Sequence, residues 1–405
     1  MGKKQVPAIR FQGFTDAWEQ RKLGDIADIV GGGTPSTGNP SYWDGDIDWY
    51  APAEIADQIY ANSSQKKITD LGYANSSAKM LPPGTVLFTS RAGIGKTAIL
   101  TRKGCTNQGF QSIVPHRGEL DTYFIFSRTE ELKRYGELVG AGSTFVEVSG
   151  KQMAVMELMM PPTMREQQTI GGFFQQLDHL ITLHQRKYEK LLKVKKSMLE
   201  KMFPRDGADV PEIRFDGFTD AWEQRKLGDI YIERNERGNA ELDILSVSIH
   251  HGISQNELDT DELGKSVRRS DDKSLYKHVY YGDLVFNMMR AWQGAIGVVK
   301  NEGMVSPAYI SAIPDDSVFP EFMDYCLRRK CIINQINNLS YGVTDFRKRL
   351  YWEPFTRVTI MMPSVDEQRK ITDIFRQLDD LITLHQRKLE KLKNIKKSLL
   401  EKMFV

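Results

Sequence analysis

Polar and basic side chains follow a short apolar run in each half of the chain. Residues 83–88 read as a turn into a strand that ends at Ser90 and Arg91, and residues 282–286 repeat this pattern ahead of Arg290. Arginine can donate two hydrogen bonds to guanine, and asparagine or glutamine can bond adenine in the same way. The pattern favours contacts with DNA base edges, although any one of these side chains is more often an ordinary surface residue.

The candidate DNA contacts are polar, basic or aromatic residues in the loops and strand ends of the two halves. They are Thr34, Ser36, Arg91, Lys96, Thr97, Asn107, Gln108, Lys151, Arg290, Trp292, Gln293, Tyr341, Arg347 and Lys348.

Sequence motifs of an enzyme are missing. Gly95-Lys96-Thr97 resembles a phosphate-binding loop, but Ser90 stands where that motif needs its first glycine. We therefore interpret these residues as a basic turn that touches DNA phosphate. Neither Pro-Pro pair follows Asn or Asp, as an adenine methyltransferase loop requires, and no clustered carboxylates suit a Mg²⁺ nuclease. The seven histidines lack zinc spacing. We expect no catalytic residue, metal or cofactor in this chain.

Composition sets further limits. The chain has 405 residues, enough for two domains, and 40% of them are hydrophobic. The net charge of +2 indicates that any DNA-binding charge is local, or that a partner supplies much of the grip on the backbone. The three scattered cysteines indicate a reducing cytosol. No apolar run is long enough to span a membrane, so we expect a cytoplasmic protein without a membrane partner.

The sequence contains a tandem repeat. Residues 7–26 and 211–230 are identical at 18 of 20 positions, and residues 164–203 and 365–404 at 26 of 40. The bodies between these segments, 27–163 and 231–364, are unrelated in sequence. Near-identical frames around unrelated bodies are typical of one scaffold holding two interchangeable readers. A duplicated fold that has drifted in its loops is the alternative.

The closing segments carry an unbroken heptad pattern, which is typical of a coiled coil. We predict that the two helices pair with each other, antiparallel by pseudo-two-fold symmetry. His184 and His385 would then lie close together near the middle, as polar seam residues that fix the register. The principal seam residues are Ile170, Leu177, Ile181, His184 and Leu191, repeated as Ile371, Leu378, Ile382, His385 and Leu392.

The predicted fold class is α+β, with two mixed α/β recognition domains joined by two long helices. The first domain covers 1–163 with its leader at 7–26, and the central helix covers 164–204. The second domain covers 205–364 with its leader at 211–230, and the last helix covers 365–405. A flexible turn is expected at Gly31-Gly32-Gly33-Thr34-Pro35-Ser36.

A set of short motifs recurs along the chain. They are Trp18, Leu23-Gly24-Asp25-Ile26, Gly32-Gly33-Thr34-Pro35-Ser36, Phe88, Arg91, Gly95-Lys96, Asn107-Gln108-Gly109, Pro161-Pro162, Glu166-Gln167, Leu177-Asp178 and Ile181, with Glu367-Gln368, Leu378-Asp379 and Ile382 in the second copy. Together with the leaders they resemble the specificity subunit of type I restriction-modification systems along nearly the whole chain. The second copy departs from the pattern, because it lacks the Gly-Thr-Pro-Ser loop and has Met362-Pro363 in place of Pro-Pro.

The resemblance implies a non-catalytic subunit that binds double-stranded DNA. Each body would read one half of a split, asymmetric site, and the coiled coil would set the spacer. Two methyltransferase subunits would dock on the framing helices, and restriction subunits that translocate DNA would join them. S-adenosylmethionine, ATP and Mg²⁺ would bind to those partners. The alternatives are a scaffold or adaptor without a DNA role and a fused restriction-methylation enzyme.

Overall fold

A computed structural model describes residues 6–55, 58–91, 93–141, 147–205, 207–239, 241–249, 252–254, 273–342 and 348–405. The chain forms two compact units, and the boundaries between them fall within the long helices. Unit 1 contains residues 1–185 together with 387–405, and unit 2 contains residues 186–386. Each unit therefore combines one body, the first half of its own closing helix and the second half of the other closing helix.

The two closing segments are single long helices. They are Met164–Lys201, with 38 residues, and Val365–Met403, with 39. At 1.5 Å per residue each is about 57 Å long. The first helix ends three residues before Pro204, where no further helical turn can form. All the seam residues named above are buried or half-buried, while most of the residues between them are exposed.

The described part of unit 1 contains three β-sheets. Their orders are β1-β10, β2-β9-β6-β7-β4 and β5-β3-β8. The strands are β1 (Glu19–Lys22), β2 (Ala27–Gly31), β3 (Trp43–Tyr50), β4 (Tyr60–Ala61), β5 (Lys66–Ile68), β6 (Val86–Phe88), β7 (Thr97–Leu100), β8 (Cys105–Thr106), β9 (Gln111–Pro115) and β10 (Glu157–Met160). The helices are α1 (Leu23–Ile26), α2 (Asp70–Ala74), α3 (Thr122–Ser127), α4 (Thr129–Gly140), α5 (Gly150–Ala154) and the long helix α6 (Met164–Lys201).

Unit 2 contains four sheets within its described residues. Their orders are β11-β20, β12-β19-β16-β17, β13-β14 and β15-β18. The strands are β11 (Glu223–Lys226), β12 (Tyr231–Arg234), β13 (Val247–Ser248), β14 (Gly252–Ile253), β15 (Lys277–Val279), β16 (Leu284–Asn287), β17 (Ile296–Val298), β18 (Gly303–Val305), β19 (Tyr309–Pro314) and β20 (Thr359–Met362). The helices are α7 (Leu227–Ile230), α8 (Pro320–Leu327), α9 (Lys330–Leu339), α10 (Trp352–Thr356) and the long helix α11 (Val365–Met403).

The two bodies share a central sheet although their sequences are unrelated. The antiparallel order β2-β9-β6-β7 in unit 1 corresponds strand for strand to β12-β19-β16-β17 in unit 2. In both, the leader supplies one strand of a separate two-stranded sheet, because β1 pairs with β10 and β11 with β20. The predicted fold class, with two mixed α/β bodies and two long helices, is confirmed.

A buried ion pair anchors each leader to its long helix. The Arg10 guanidinium donates two hydrogen bonds to Glu166, at 2.7 and 2.8 Å, and Trp18 Nε1 donates a third at 3.2 Å. Arg214 contacts Glu367 in the same bidentate way, at 2.8 Å for both bonds. A carboxylate removed from water needs such partners, because its desolvation costs several kcal/mol.

A second buried contact joins the body, its own helix and the end of the other helix. In unit 1 the Asp178 carboxylate accepts from the Tyr123 hydroxyl at 3.0 Å and from Lys396 at 2.6 Å. Burial, with the Asp178 carboxylate as a second cause, raises the pKa of Tyr123, so the phenol stays a proton donor.

Unit 2 repeats this arrangement. Asp379 accepts from Tyr325 at 3.0 Å and from Lys195 at 2.5 Å. In each unit the two helical segments run antiparallel: in unit 1, for example, Phe404 stacks on Phe174 at 5.9 Å, beyond the contact between Lys396 and Asp178. The predicted contact between His184 and His385 joins residues of different units and stays a prediction, as do the coiled coil and the domain boundaries.

Replacement of Glu166 by alanine should destabilise unit 1, because it leaves the buried Arg10 charge and the Trp18 indole without their acceptor. Removing one partner of a buried pair costs about 3–5 kcal/mol. We expect thermal unfolding, followed by circular dichroism, to begin on the order of 10 °C lower. Glu200→Ala, an exposed change on the same helix, is the control. Equal melting of the two variants would contradict the anchoring role.

Candidate nucleic-acid interface

The turn between β6 and β7 presents the basic residues of unit 1. The Thr89 hydroxyl donates to the Gly93 carbonyl at 2.7 Å and accepts from the Lys96 amide at 3.0 Å, which closes the turn. Gly95 has φ +94°, and a Cβ there would lie 2.3 Å from Lys133 Cγ, so a side chain does not fit. Lys96 is held at an exposed position by this geometry.

Arg91 lies at the base of the same turn. Its guanidinium lies 3.9 Å from Glu147, and both side chains are more than a third exposed. An ion pair this long and exposed is worth little, so Arg91 can move to another acceptor at small cost.

The glycine-rich segment is packed, contrary to the flexible turn predicted from the sequence. Gly31 ends β2 as a paired residue, and the Gly33 amide donates to the Thr106 carbonyl at 2.8 Å. A Cβ on Gly32 would lie 2.0 Å from the Asn107 carbonyl oxygen. The glycines are therefore needed for close approach of two backbones rather than for flexibility.

This close approach brings several candidates together. The Thr34 hydroxyl donates to Gln108 Oε1. Asn107 Oδ1 accepts from the Gly109 amide at 2.8 Å, and the Gly109 carbonyl accepts from the Ser90 amide at 2.8 Å. The loop of Thr34 and Ser36, the loop of Asn107 and Gln108, and the base of the Arg91 turn therefore form one edge of the unit.

Two other candidates of unit 1 differ in accessibility. Thr97 is buried and its hydroxyl bonds that of Thr129 at 2.8 Å, so this side chain is engaged inside the unit. Lys151 lies in the first turn of α5 and is exposed. The Val148 amide, close before α5, donates to the Ser90 carbonyl at 3.0 Å, which places the start of α5 near the Arg91 turn.

In unit 2 the equivalent turn joins β16 to β17. Arg290 precedes a short 3₁₀ helix, Ala291–Gln293, that ends at Gly294 with φ +104°. Arg290 is half-buried and Gln293 is exposed. The Trp292 indole donates to the Met289 carbonyl at 3.0 Å, which fixes the ring in the turn.

The remaining candidates of unit 2 lie beside this turn. Lys348 Nζ lies 5.7 Å from the centre of the Trp292 ring and donates to Asn337 at 2.6 Å. The Leu350 amide donates to the Met288 carbonyl at 2.9 Å, which ties this segment to the turn. Arg347 lies outside the described residues.

An exposed pair of tyrosines completes this surface. Tyr341 stacks on Tyr351 with ring centres 5.3 Å apart, and its backbone pairs with that of Arg349. Tyr351 and Arg349 were not selected from the sequence. The basic run at 347–349, followed closely by Tyr351, is the sequence signal that could have found them.

The structure thus brings most candidates into one surface per unit, built around equivalent turns of equivalent sheets. Each surface combines arginine or lysine with amide, hydroxyl or aromatic groups, which is the chemistry that contacts phosphates and base edges in DNA. No described helix is both long and apolar enough to cross a membrane.

Comparison with known proteins gives a family match. Residues 15–193 and 220–394 match the type I restriction modification DNA specificity domain. The MjaIX specificity subunit of a type I restriction enzyme from Methanocaldococcus jannaschii is 32% identical over 226 residues, 53% of this chain and 51% of that protein. The chain thus spans about half the length of this relative.

Two further matches extend over nearly the whole chain. The MjaVIII specificity subunit from the same organism is 19% identical over 409 residues, covering 95% of this chain and 91% of that protein. The crystal structure of a type I restriction-modification S subunit from M. genitalium covers 99% of both chains with a TM-score of 0.60 and 14% identity. The latter likeness concerns the fold alone.

Arg91→Ala should weaken binding to the recognised DNA by about 1–3 kcal/mol if the guanidinium reads a base, and should relax one position of the site. The measurements are affinity by fluorescence anisotropy and the methylated sequence in cells. Arg117→Ala is the matched control, because Arg117 is exposed beyond the far end of β9. Unchanged affinity and an unchanged site would make Arg91 an ordinary surface residue.

Proposed function

Since the chain belongs to the family of type I restriction-modification DNA specificity domains and carries two copies of the domain, we propose that it is the DNA-reading subunit of a type I restriction-modification complex. It supplies recognition and performs no catalysis of its own. The observation that carries this proposal is the pair of equivalent turns, β6–β7 and β16–β17, each with an accessible arginine at the same place in a shared sheet.

Each body reads one half of a split, asymmetric DNA site. The frames are nearly identical and the residues in the two turns differ, so the two surfaces present different donors and acceptors to DNA. Ser36, Arg91 and Gln108 are accessible in unit 1, whereas unit 2 presents Arg290, Gln293 and stacked tyrosines. Two different surfaces on one scaffold account for an asymmetric site.

The proposed partners follow from the family match. A complex of this class needs two methyltransferase subunits to modify adenine, with S-adenosylmethionine, and restriction subunits that use ATP and Mg²⁺. The repeated long helices are the surfaces that both halves have in common, which suits them to dock two copies of one partner. In this proposal the length of the helices also sets the unread spacer.

Exchange of residues 27–163 for the body of a related subunit should change one half of the methylated site and leave the other half unchanged. Methylome sequencing of cells that express the chimaera with its methyltransferase subunit measures both halves at once. The untouched second body is the internal control.

Two outcomes would contradict the proposal. A change in both halves would mean that the bodies do not read independently, and methylation by the purified chain without a partner would favour the fused-enzyme alternative. An adaptor without a DNA role predicts that the exchange leaves the methylated sequence as it was.

Insertion of one heptad after Leu191 and one after Leu392 tests the spacer role. Both seams stay in phase, and each helix gains about 10 Å at 1.5 Å per residue. At 3.4 Å per base pair the spacer should lengthen by roughly two to three base pairs, less if the second reader cannot follow the turn of the DNA. Both half-sites should remain the same. An active variant with the original spacer would show that the helices do not measure DNA.

A further inference from the structure

A basic cleft lies in unit 1 between the last turns of α11, helix α4 and the β6–β7 turn. Its volume is about 1040 Å³, and a cleft in unit 2 has a volume of about 1030 Å³. Seven of the side chains that line it are basic and four are acidic. The basic ones are Lys96, Arg128, Lys133, Arg134, Lys393, Lys396 and Lys397, and the acidic ones are Glu130, Glu131, Glu137 and Glu401.

Internal pairing accounts for some of these charges. Arg128 forms a bidentate contact with Glu131, at 2.7 and 2.9 Å, and Lys396 is bound by Asp178. Five basic and three acidic side chains remain, so the open part of the cleft is positive. Lys393 and Lys397 are exposed one turn apart on α11 and have no ion-pair partner within the part of the chain that the structure describes.

The position of Lys96 connects this cleft with DNA. Lys96 lines the cleft, and it stands in the same turn as Arg91 at the edge that carries the candidate base contacts of unit 1. A basic groove beside a base-reading edge is where the sugar-phosphate backbone of the same duplex would run, since phosphate contacts position a protein on DNA while base contacts specify the sequence.

We propose that this cleft binds the sugar-phosphate backbone of the target DNA through Lys96, Lys393 and Lys397. The last turns of the second long helix then contribute to DNA binding by unit 1. This inference rests on the proposed DNA-reading function and adds a helical element to its contact surface.

The corresponding cleft in unit 2 differs at one of these positions. Lys195 and Lys196 correspond to Lys396 and Lys397, but Leu192 stands where the second helix has Lys393. Lys393→Leu therefore introduces a residue that the repeated frame already accommodates at that position.

The test uses the full chain in complex with its methyltransferase subunits and a fluorescent duplex of random sequence. Each phosphate contact that is lost should reduce the slope of log K against log salt by about one. The pair Lys393→Gln and Lys397→Gln should lower the slope by about two and weaken binding on the order of tenfold at low salt. Lys393→Leu should produce half of the change in slope.

Two matched changes on the same helix control for net charge. Lys391 and Glu390 are exposed on α11 and line a different surface. Lys391→Gln should leave the slope almost unchanged. Glu401→Gln removes an acidic group from the cleft and should tighten binding, whereas Glu390→Gln should not.

Three outcomes separate the inference from the proposed function. If the unaltered complex does not bind duplex DNA, the proposed function fails. If it binds and the cleft variants match Lys391→Gln in slope and affinity, the cleft does not contact phosphate and the inference is overturned. If the variants instead lose their methyltransferase subunits while the assembled fraction binds DNA normally, the cleft is a protein-docking surface and the inference is also overturned.

Discussion

Asp178 and Asp379 are buried or half-buried carboxylates at which three segments of the chain meet. In each case the body supplies a tyrosine hydroxyl, one long helix supplies the carboxylate and the end of the other helix supplies a lysine. A carboxylate that is removed from water must keep such hydrogen-bond and ion-pair partners. Loss of any one of the three side chains leaves polar groups of the other two unsatisfied. Every unit is therefore complete only when the other copy of the repeat contributes its helix end.

This requirement explains why unrelated bodies share one sheet order. Each body must present the same few groups to the same frame: a tyrosine for the aspartate, and an arginine that packs over the terminal phenylalanine, as Arg128 does over Phe404 and Arg329 over Phe203. The backbone of each body also satisfies the side-chain amide of Gln167 or Gln368. These contacts constrain where strands begin and end, and they leave the residues of the turns free to differ.

Sequence alone predicted the repeat, the two bodies and the long helices, because identity between copies and an unbroken heptad need no tertiary information. The sequence could not predict that the end of each long helix belongs to the unit of the other body. A heptad pattern indicates that one face of a helix is buried, but it does not identify the body that packs beside that helix. Gly32 and Thr97 illustrate the same limit. From sequence alone, a glycine needed for close backbone contact cannot be distinguished from a flexible one, and a buried threonine cannot be distinguished from an exposed one. The acceptor of the Lys396 charge, Asp178, is likewise identified only by the structure.

The two classes of contact place opposite demands on the chain. Contacts with the frame are buried, and their energies depend on exact partners, so both copies retain the same residues at these positions. The proposed contacts with DNA involve accessible side chains on turns whose backbones are held by glycines and hydrogen bonds, so their identities can change at little cost to stability. Under the proposed function, a chain built this way can alter the sequence that it reads without rebuilding its scaffold. The reason is that no described residue of the β6–β7 or β16–β17 turn takes part in the Arg–Glu or Asp–Tyr–Lys contacts.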